Sequence, residues 1–237
     1  MQRNNGQINL IIGCMFSGKT SLLINRYNRY TIGNKKCLMI KFQRDTRYDE
    51  FQVITHDGIS INAVKCEYLY ELDDIVNNYN VICIDEIQFY KDAHIMCDKW
   101  ANQGLIINAC GLSGDFNREP FPVVSKLIAI ADDIVHTKAI CRTTGADAVY
   151  SKLIKCSDGT NSEELIGGSD MYTAVDRQTY FNNSNNSNNS NHSNNNFELY
   201  KKFVHLYKTN INHNVCESIL ESKYDPLKNF KEIINNI

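Results

Sequence analysis

The sequence predicts a doubly wound α/β fold, a mostly parallel sheet with helices on both faces. Three observations carry that prediction. Short runs that are apolar throughout, the mark of strands buried on both faces, recur at 8–12, 37–42, 81–85, 105–109 and 134–137. Helically spaced stretches alternate with them, at 19–31, 67–77, 92–102 and 122–131. At the first strand–helix junction, Gly13-Cys14-Met15-Phe16-Ser17-Gly18-Lys19-Thr20 fits the spacing G-x-x-x-x-G-K-[ST].

Each element then has its own justification. The run 8–12 ends at Gly13, and Leu22-Leu23 begins the helical pattern after Thr20, so the glycine-containing segment is a loop opening onto a helix N-terminus. Successive amides in such a loop make a nest for polyphosphate. Lys19 would reach the β- and γ-phosphates, and the Thr20 hydroxyl would ligate Mg²⁺. The run 81–85 ends in Asp85-Glu86. In phosphate-loop proteins an acid so placed reaches the metal from an adjacent strand, usually through water, so Asp85 would hold Mg²⁺; a solvated strand end capped by acids is the other reading. Glu86, on the other side of the pleat, would accept a proton from an attacking hydroxyl or water. The segment Asp45-Thr46-Arg47 follows the second strand, where open α/β sheets place ligands. Two readings stand for Arg47: charge stabilisation of a transferred phosphoryl group, or a surface ion pair with Asp45. Leu112, Phe116 and Phe121 lie on the segment after the fourth strand, where the two rings either wall a flat organic substrate or pack in the core.

Composition narrows the classes. The 237 residues carry 25 basic and 27 acidic side chains, a formal charge of −2. That balance argues against a polybasic nucleic-acid or membrane-surface binder, leaving only a local patch open. Apolar runs fall far short of the roughly 18 residues of a membrane span. The nine Cys include no C-x-x-C pair and several sit in apolar runs, which points to reduced thiols in a soluble, cytoplasmic protein. The six His show no metal spacing, and Trp100 sits in a helical stretch as a packing residue. Residues 182–196, ten Asn, four Ser and one His, have no apolar side chain to bury and read as a disordered linker. The expected organisation is a nucleotide-binding domain at 1–140, a small subdomain at 141–181, the linker at 182–196 and a tail, in part helical, at 197–237.

Taken in order, these motifs resemble the cytosolic, type II thymidine kinase family. The resemblance rests on Met15-Phe16-Ser17-Gly18-Lys19-Thr20, Asp45-Thr46-Arg47-Tyr48, Thr55-His56-Asp57 and Ile84-Asp85-Glu86 with Gln88-Phe89. It continues through the Gly-Leu-x-Gly-x-Phe run from Gly111, Tyr150-Ser151-Lys152, and Ile166-Gly167-Gly168-Ser169-Asp170-x-Tyr172, covering roughly 6–181. It implies a RecA-like phosphate-loop domain with a small lasso-bearing subdomain, often in a homotetramer, that phosphorylates the 5′-hydroxyl of thymidine from ATP under feedback by dTTP. Glu86 then corresponds to the base, with Lys19 and Arg47 as further catalytic groups. The ATP side takes in Gly13, Cys14, Met15, Phe16, Ser17, Gly18, Lys19, Thr20, Asp45, Thr46, Arg47, Asp85, Glu86, Ile87 and Gln88. The nucleoside side takes in Leu112, Phe116, Phe121, Glu163, Glu164, Leu165, Ile166, Gly167 and Tyr172.

One departure is sharp. The resemblance implies structural zinc on two C-x-x-C pairs, but here those runs read Cys141-Arg142-Thr143-Thr144 and Asp176-Arg177-Gln178-Thr179. One sulfur remains of four, and threonine hydroxyls are poor zinc ligands, so no structural zinc is expected and packing must hold the subdomain. Ser113 also stands where many relatives carry Asp. Two other functions fit the same loop and acids: an ATPase in which Glu86 activates water, and a nucleotide-responsive binding protein without turnover.

Overall fold

The computed structural model describes residues 6–44, 52–54, 60–154 and 171–182. The chain divides into two compact units, Met1–Tyr180 and Phe181–Ile237. The expected linker and tail fall almost wholly outside the described residues, which end at Asn182.

In the first unit β1 (Gln7–Gly13) leads to α1 (Lys19–Ile32) and β2 (Cys37–Phe42). A hairpin of β3 (Gln52–Ile54) and β4 (Ser60–Asn62) precedes the short β5 (Val64–Cys66). After a 3-10 turn at Leu69–Leu72 come α2 (Asp73–Val76), β6 (Val81–Ile84) and a second 3-10 turn at Ile87–Phe89. Then follow α3 (Ala93–Asn102), β7 (Ile106–Leu112), α4 (Pro122–Ile128) and β8 (Asp133–Thr137). The central sheet has six strands in the order β5-β2-β6-β7-β1-β8, every neighbouring pair parallel. The doubly wound α/β expectation therefore holds.

The apolar runs behave as buried parallel strands because successive side chains enter different cores. Leu10, Ile40, Ile82, Ile84 and Ala109 join Met96 and Trp100 of α3 and Val124 and Leu127 of α4. Their strand neighbours Ile11, Met39, Cys83 and Cys110 join Leu23 and Ile24 of α1 on the other face. Trp100 is fully buried and donates its indole N–H to Asp73 at 2.9 Å, which satisfies its polar atom.

Several elements differ from the sequence-based expectations. The helix expected at 67–77 is a 3-10 turn followed by one short α-helical turn. Leu69 and Leu72, three apart, share a face in the tight turn, and Val76, four further on, extends the same buried stripe in α-geometry. Asp92 holds the start of the turn from outside by accepting the Leu69 and Tyr70 N–H groups. The helix expected to run to 131 ends at Ile128, and β7 begins at Ile106 and continues three residues past 109, to Leu112. Strands β3, β4 and β5 were not anticipated, being only three residues each.

Beyond β8 lie β9 (Ala139–Ile140), β10 (Asp147–Ala148), β11 (Tyr150–Leu153) and β12 (Tyr172–Val175), then α5 (Arg177–Asn182). They form two antiparallel pairs, β9 with β10 and β11 with β12. The runs 141–144 and 176–179 meet here. Cys141 Sγ lies 3.5 Å from Thr179 Oγ1, Thr144 Oγ1 donates to Asp176 Oδ2, and the Thr179 amide donates to Asp176 Oδ1 at 2.6 Å. A closed hydrogen-bonded knot thus joins the two runs, around the buried Cys141. Among the described residues no group of three or more His, Cys, Asp or Glu gathers as a metal site.

Candidate active site

The phosphate-loop motif spans the end of β1 and the start of α1. Phe16 (φ 62°) and Gly18 (φ 78°) both adopt left-handed backbone, the alternation that turns successive amides to one side. Gly13 is required for a different reason: a Cβ there would lie 2.4 Å from the Thr137 carbonyl oxygen and 2.7 Å from Ser17 Oγ. Ser17 Oγ is 2.8 Å from both the Cys14 carbonyl oxygen and Thr137 Oγ1, which ties the loop to the end of edge strand β8. Lys19 is buried in the loop and donates from Nζ to the Cys14 carbonyl oxygen at 2.7 Å.

The first acid meets this loop. Asp85 Oδ1 accepts the Thr20 hydroxyl at 3.2 Å and the Glu86 amide at 3.1 Å. It also accepts the Cys110 thiol at 2.9 Å. Burial, and then the neighbouring Asp85 carboxylate, push the Cys110 thiol well above its ordinary value, so it stays protonated and serves as the donor. The strand carrying Asp85 is not adjacent to β1, as expected from sequence, but separated from it by β7. Cys110, on that intervening strand, fills the step between them.

Glu86 is set by the backbone rather than by the pleat. The strand stops at Ile84, and Glu86 takes a left-handed conformation (φ 52°, ψ 49°). The alternation argument for its direction therefore does not apply. Its Oε2 accepts Gln88 Nε2 at 2.6 Å, while Gln88 Oε1 accepts the Leu112 amide at 3.1 Å. Gln88 thus braces Glu86 against the end of β7. The brace needs Gly111, where a Cβ would lie 2.4 Å from Gln88 Oε1 and 2.7 Å from Ile87 Cγ2. The Ile87 side chain is fully buried in the main core, and Phe89 stacks on Phe42 at 5.1 Å, so the turn carrying Glu86 and Gln88 is anchored from below.

The aromatic side is built from the segment after β7 and from β12. Asp115 accepts the Asn117 and Glu119 amides at 2.8 and 2.7 Å, an Asx-type turn that orients Phe116. The Phe116 ring lies 6.4 Å from the Tyr172 ring, and Tyr180 donates its hydroxyl to the Phe116 carbonyl oxygen at 2.9 Å. The Arg118 guanidinium lies 5.0 Å from the Tyr180 ring and 5.9 Å from that of Tyr150. Leu112 is half-buried at the end of β7. Phe121 packs against the main core, the second of its two readings.

Gly13 to Thr20, Asp85, Glu86, Gln88 and Leu112 are therefore joined by the contacts above, and Phe116 is joined to Tyr172. Asp45, Thr46 and Arg47, and Glu163, Glu164, Leu165, Ile166 and Gly167, lie outside the described residues. Sequence reasoning missed Cys110, Thr137 and Tyr180. Cys110 carries no motif, only its place beside Gly111.

A parallel sheet whose first strand opens through an amide loop onto a helix, with an acid in contact with the loop threonine, defines a phosphate-loop nucleotide-binding protein. The comparisons narrow the class: residues 6–180 match the thymidine kinase family. Thymidine kinase of raccoon poxvirus is 42% identical over 180 residues, covering 76% of this chain and 99% of the viral one. That of rabbit fibroma virus (strain Kasza) is 40% identical over 182 residues, covering 76% and 99%. Thymidine kinase 1 of Dictyostelium discoideum is 41% identical over 179 residues, covering 74% and 78%. The chain belongs to the thymidine kinase family. No helix among the described residues is long and apolar enough to cross a membrane.

Proposed function

We propose that this protein transfers the γ-phosphoryl group of ATP to the 5′-hydroxyl of thymidine, giving dTMP and ADP. The observation that carries the reading is the 3.2 Å contact between Thr20 Oγ1 and Asp85 Oδ1, which brings a phosphate-loop hydroxyl to a carboxylate one residue before Glu86. Family membership supports the nucleoside.

Thr20 and Asp85 offer a hydroxyl and a carboxylate oxygen side by side, a donor set that suits a hard cation, and they would hold Mg²⁺. Bound there, the ion would neutralise charge on the β- and γ-phosphate oxygens. Lys19 exchanges the Cys14 carbonyl oxygen for phosphate oxygens, and the loop amides receive the rest of the triphosphate. Phe116, Tyr172 and Leu112 take the nucleoside side, with the two rings flanking the base. Glu86, held by Gln88, takes the proton of the 5′-hydroxyl as the hydroxyl oxygen bonds to the γ-phosphorus. The bond from that phosphorus to the β,γ-bridging oxygen breaks, and ADP leaves with the electron pair. Positioning and fixed charge supply the rate enhancement, without a covalent intermediate. Asp45, Thr46 and Arg47 complete the nucleotide side, and Glu163, Glu164, Leu165, Ile166 and Gly167 the nucleoside side. A cytoplasmic homotetramer restrained by dTTP completes the proposal.

The test is a phosphoryl-transfer assay over the four natural deoxynucleosides with MgATP. Thymidine phosphate should form, and Glu86→Gln should lose turnover while keeping most ATP affinity. ADP release without any nucleoside product would replace the kinase reading with the ATPase one, and normal turnover by Glu86→Gln would remove Glu86 as base.

A further inference from the structure

The phosphate loop is held at two points by the small β-sheets, and the catalytic reading above uses neither. Ser151, buried on β11, accepts the Met15 N–H at Oγ, 3.0 Å away. Next to it the Cys14 thiol donates to the Ala148 carbonyl oxygen of β10 at 3.3 Å. Burial pushes the Cys14 thiol up, so this donor keeps its proton. Cys14 and Phe16 pack in the same small core as Ala148 and Ala174.

The strand pair that carries Ser151 also carries the aromatic side. In the β11–β12 ladder Ser151 faces Ala174, and Leu153 faces Tyr172, whose ring lies 6.4 Å from Phe116. Two residues of hydrogen-bonded antiparallel ladder therefore separate the Tyr172 ring from the serine that holds the loop. Met15 precedes the left-handed Phe16, so the plane of the Met15 amide sets the direction of the amides that follow.

We infer that Ser151 is a positioning residue that couples the two substrate sides. A nucleoside held at Phe116 and Tyr172 fixes β12 and with it β11, and Ser151 then holds the Met15 amide in the loop conformation that receives triphosphate. The inference rests on the proposed placement of thymidine and ATP. Because binding linkage is reciprocal, a triphosphate in the loop tightens the nucleoside side by the same factor. The physical carrier is one ladder and one buried hydrogen bond rather than a diffuse network.

The experiment titrates the full-length protein calorimetrically with Mg²⁺ and the non-hydrolysable ATP analogue AMP-PNP, with and without saturating thymidine. In the wild type thymidine should tighten AMP-PNP about five- to tenfold. In S151A that factor should fall below about twofold, while S151T, which keeps the acceptor, retains it. A serine that merely stabilised the fold would lower the melting temperature and leave the coupling factor unchanged. If S151A is too unstable to titrate, S151C, with a poor acceptor at similar size, carries the same expectation. The wild-type factor persisting in S151A or S151C, or no coupling in the wild type, overturns the inference alone. A wild type that binds no AMP-PNP overturns the placement of ATP as well.

Discussion

Replacing Gln88 by glutamate changes one nitrogen to oxygen and tests how Glu86 is held. The native amide uses both ends: Nε2 donates to Glu86 at 2.6 Å, and Oε1 accepts the Leu112 amide at 3.1 Å. In Gln88→Glu the second contact survives, but the first becomes two carboxylates at hydrogen-bond distance in a part-buried setting. A hydrogen bond to a charged group contributes about 1.5–3 kcal/mol. Lost from the orientation of the proposed base, that corresponds to a roughly ten- to hundredfold fall in kcat. Two adjacent carboxylates also cannot both ionise freely, so the pair retains a proton to higher pH. The acidic limb of the kcat–pH profile should therefore move upward, with activity partly recovered at alkaline pH. The assay is steady-state turnover with saturating thymidine and MgATP from pH 5.5 to 9.5, beside thermal unfolding to confirm the fold. A Gln88→Glu enzyme with wild-type kcat and an unmoved acidic limb would show that Gln88 does not position Glu86.

Two further outcomes are expected. Gly13→Ala places a methyl group 2.4 Å from a backbone oxygen of β8, so loop or strand must shift; AMP-PNP affinity should fall at least about tenfold by calorimetry, with about 1–3 kcal/mol lost in denaturant unfolding. The knot at Cys141, Thr144, Asp176 and Thr179 should respond to acid rather than to chelators. The Thr144 hydroxyl and then the Thr179 amide hold the Asp176 carboxyl below its ordinary value. A depressed folded pKa contributes stability above the unfolded value near 4, and that contribution is lost as pH falls through the folded one. The melting-temperature advantage of the wild type over Asp176→Asn should thus shrink as pH falls from about 5 towards 3. Treatment with EDTA at neutral pH should leave the melting temperature unchanged.

Local signals were legible where one stretch of chain decides its own structure. The spacing from Gly13 to Thr20 announces an amide loop capping a helix, and the helix indeed starts at Lys19. Apolar runs announce buried parallel strands, and 81–85 announces an acid at a strand end, found one residue past β6. Phe121 illustrates the opposite case: a ring after a strand has the same local pattern whether it walls a site or packs a core, and packing against the main core decided it.

The amino-acid sequence by itself determined the class of fold, the phosphate-loop spacing and the presence of two acids at a strand end, because each is written in residues that are neighbours along the chain. Only the tertiary structure decided that β7 stands between the loop strand and the acid strand, since strand order depends on pairing between distant segments. It likewise decided that Glu86 leaves its strand in a left-handed turn and leans on Gln88, and that Ser151 reaches Met15 across 136 positions. Those contacts join side chains whose separation in sequence carries no periodicity, and they form only once the sheet has brought their carriers together.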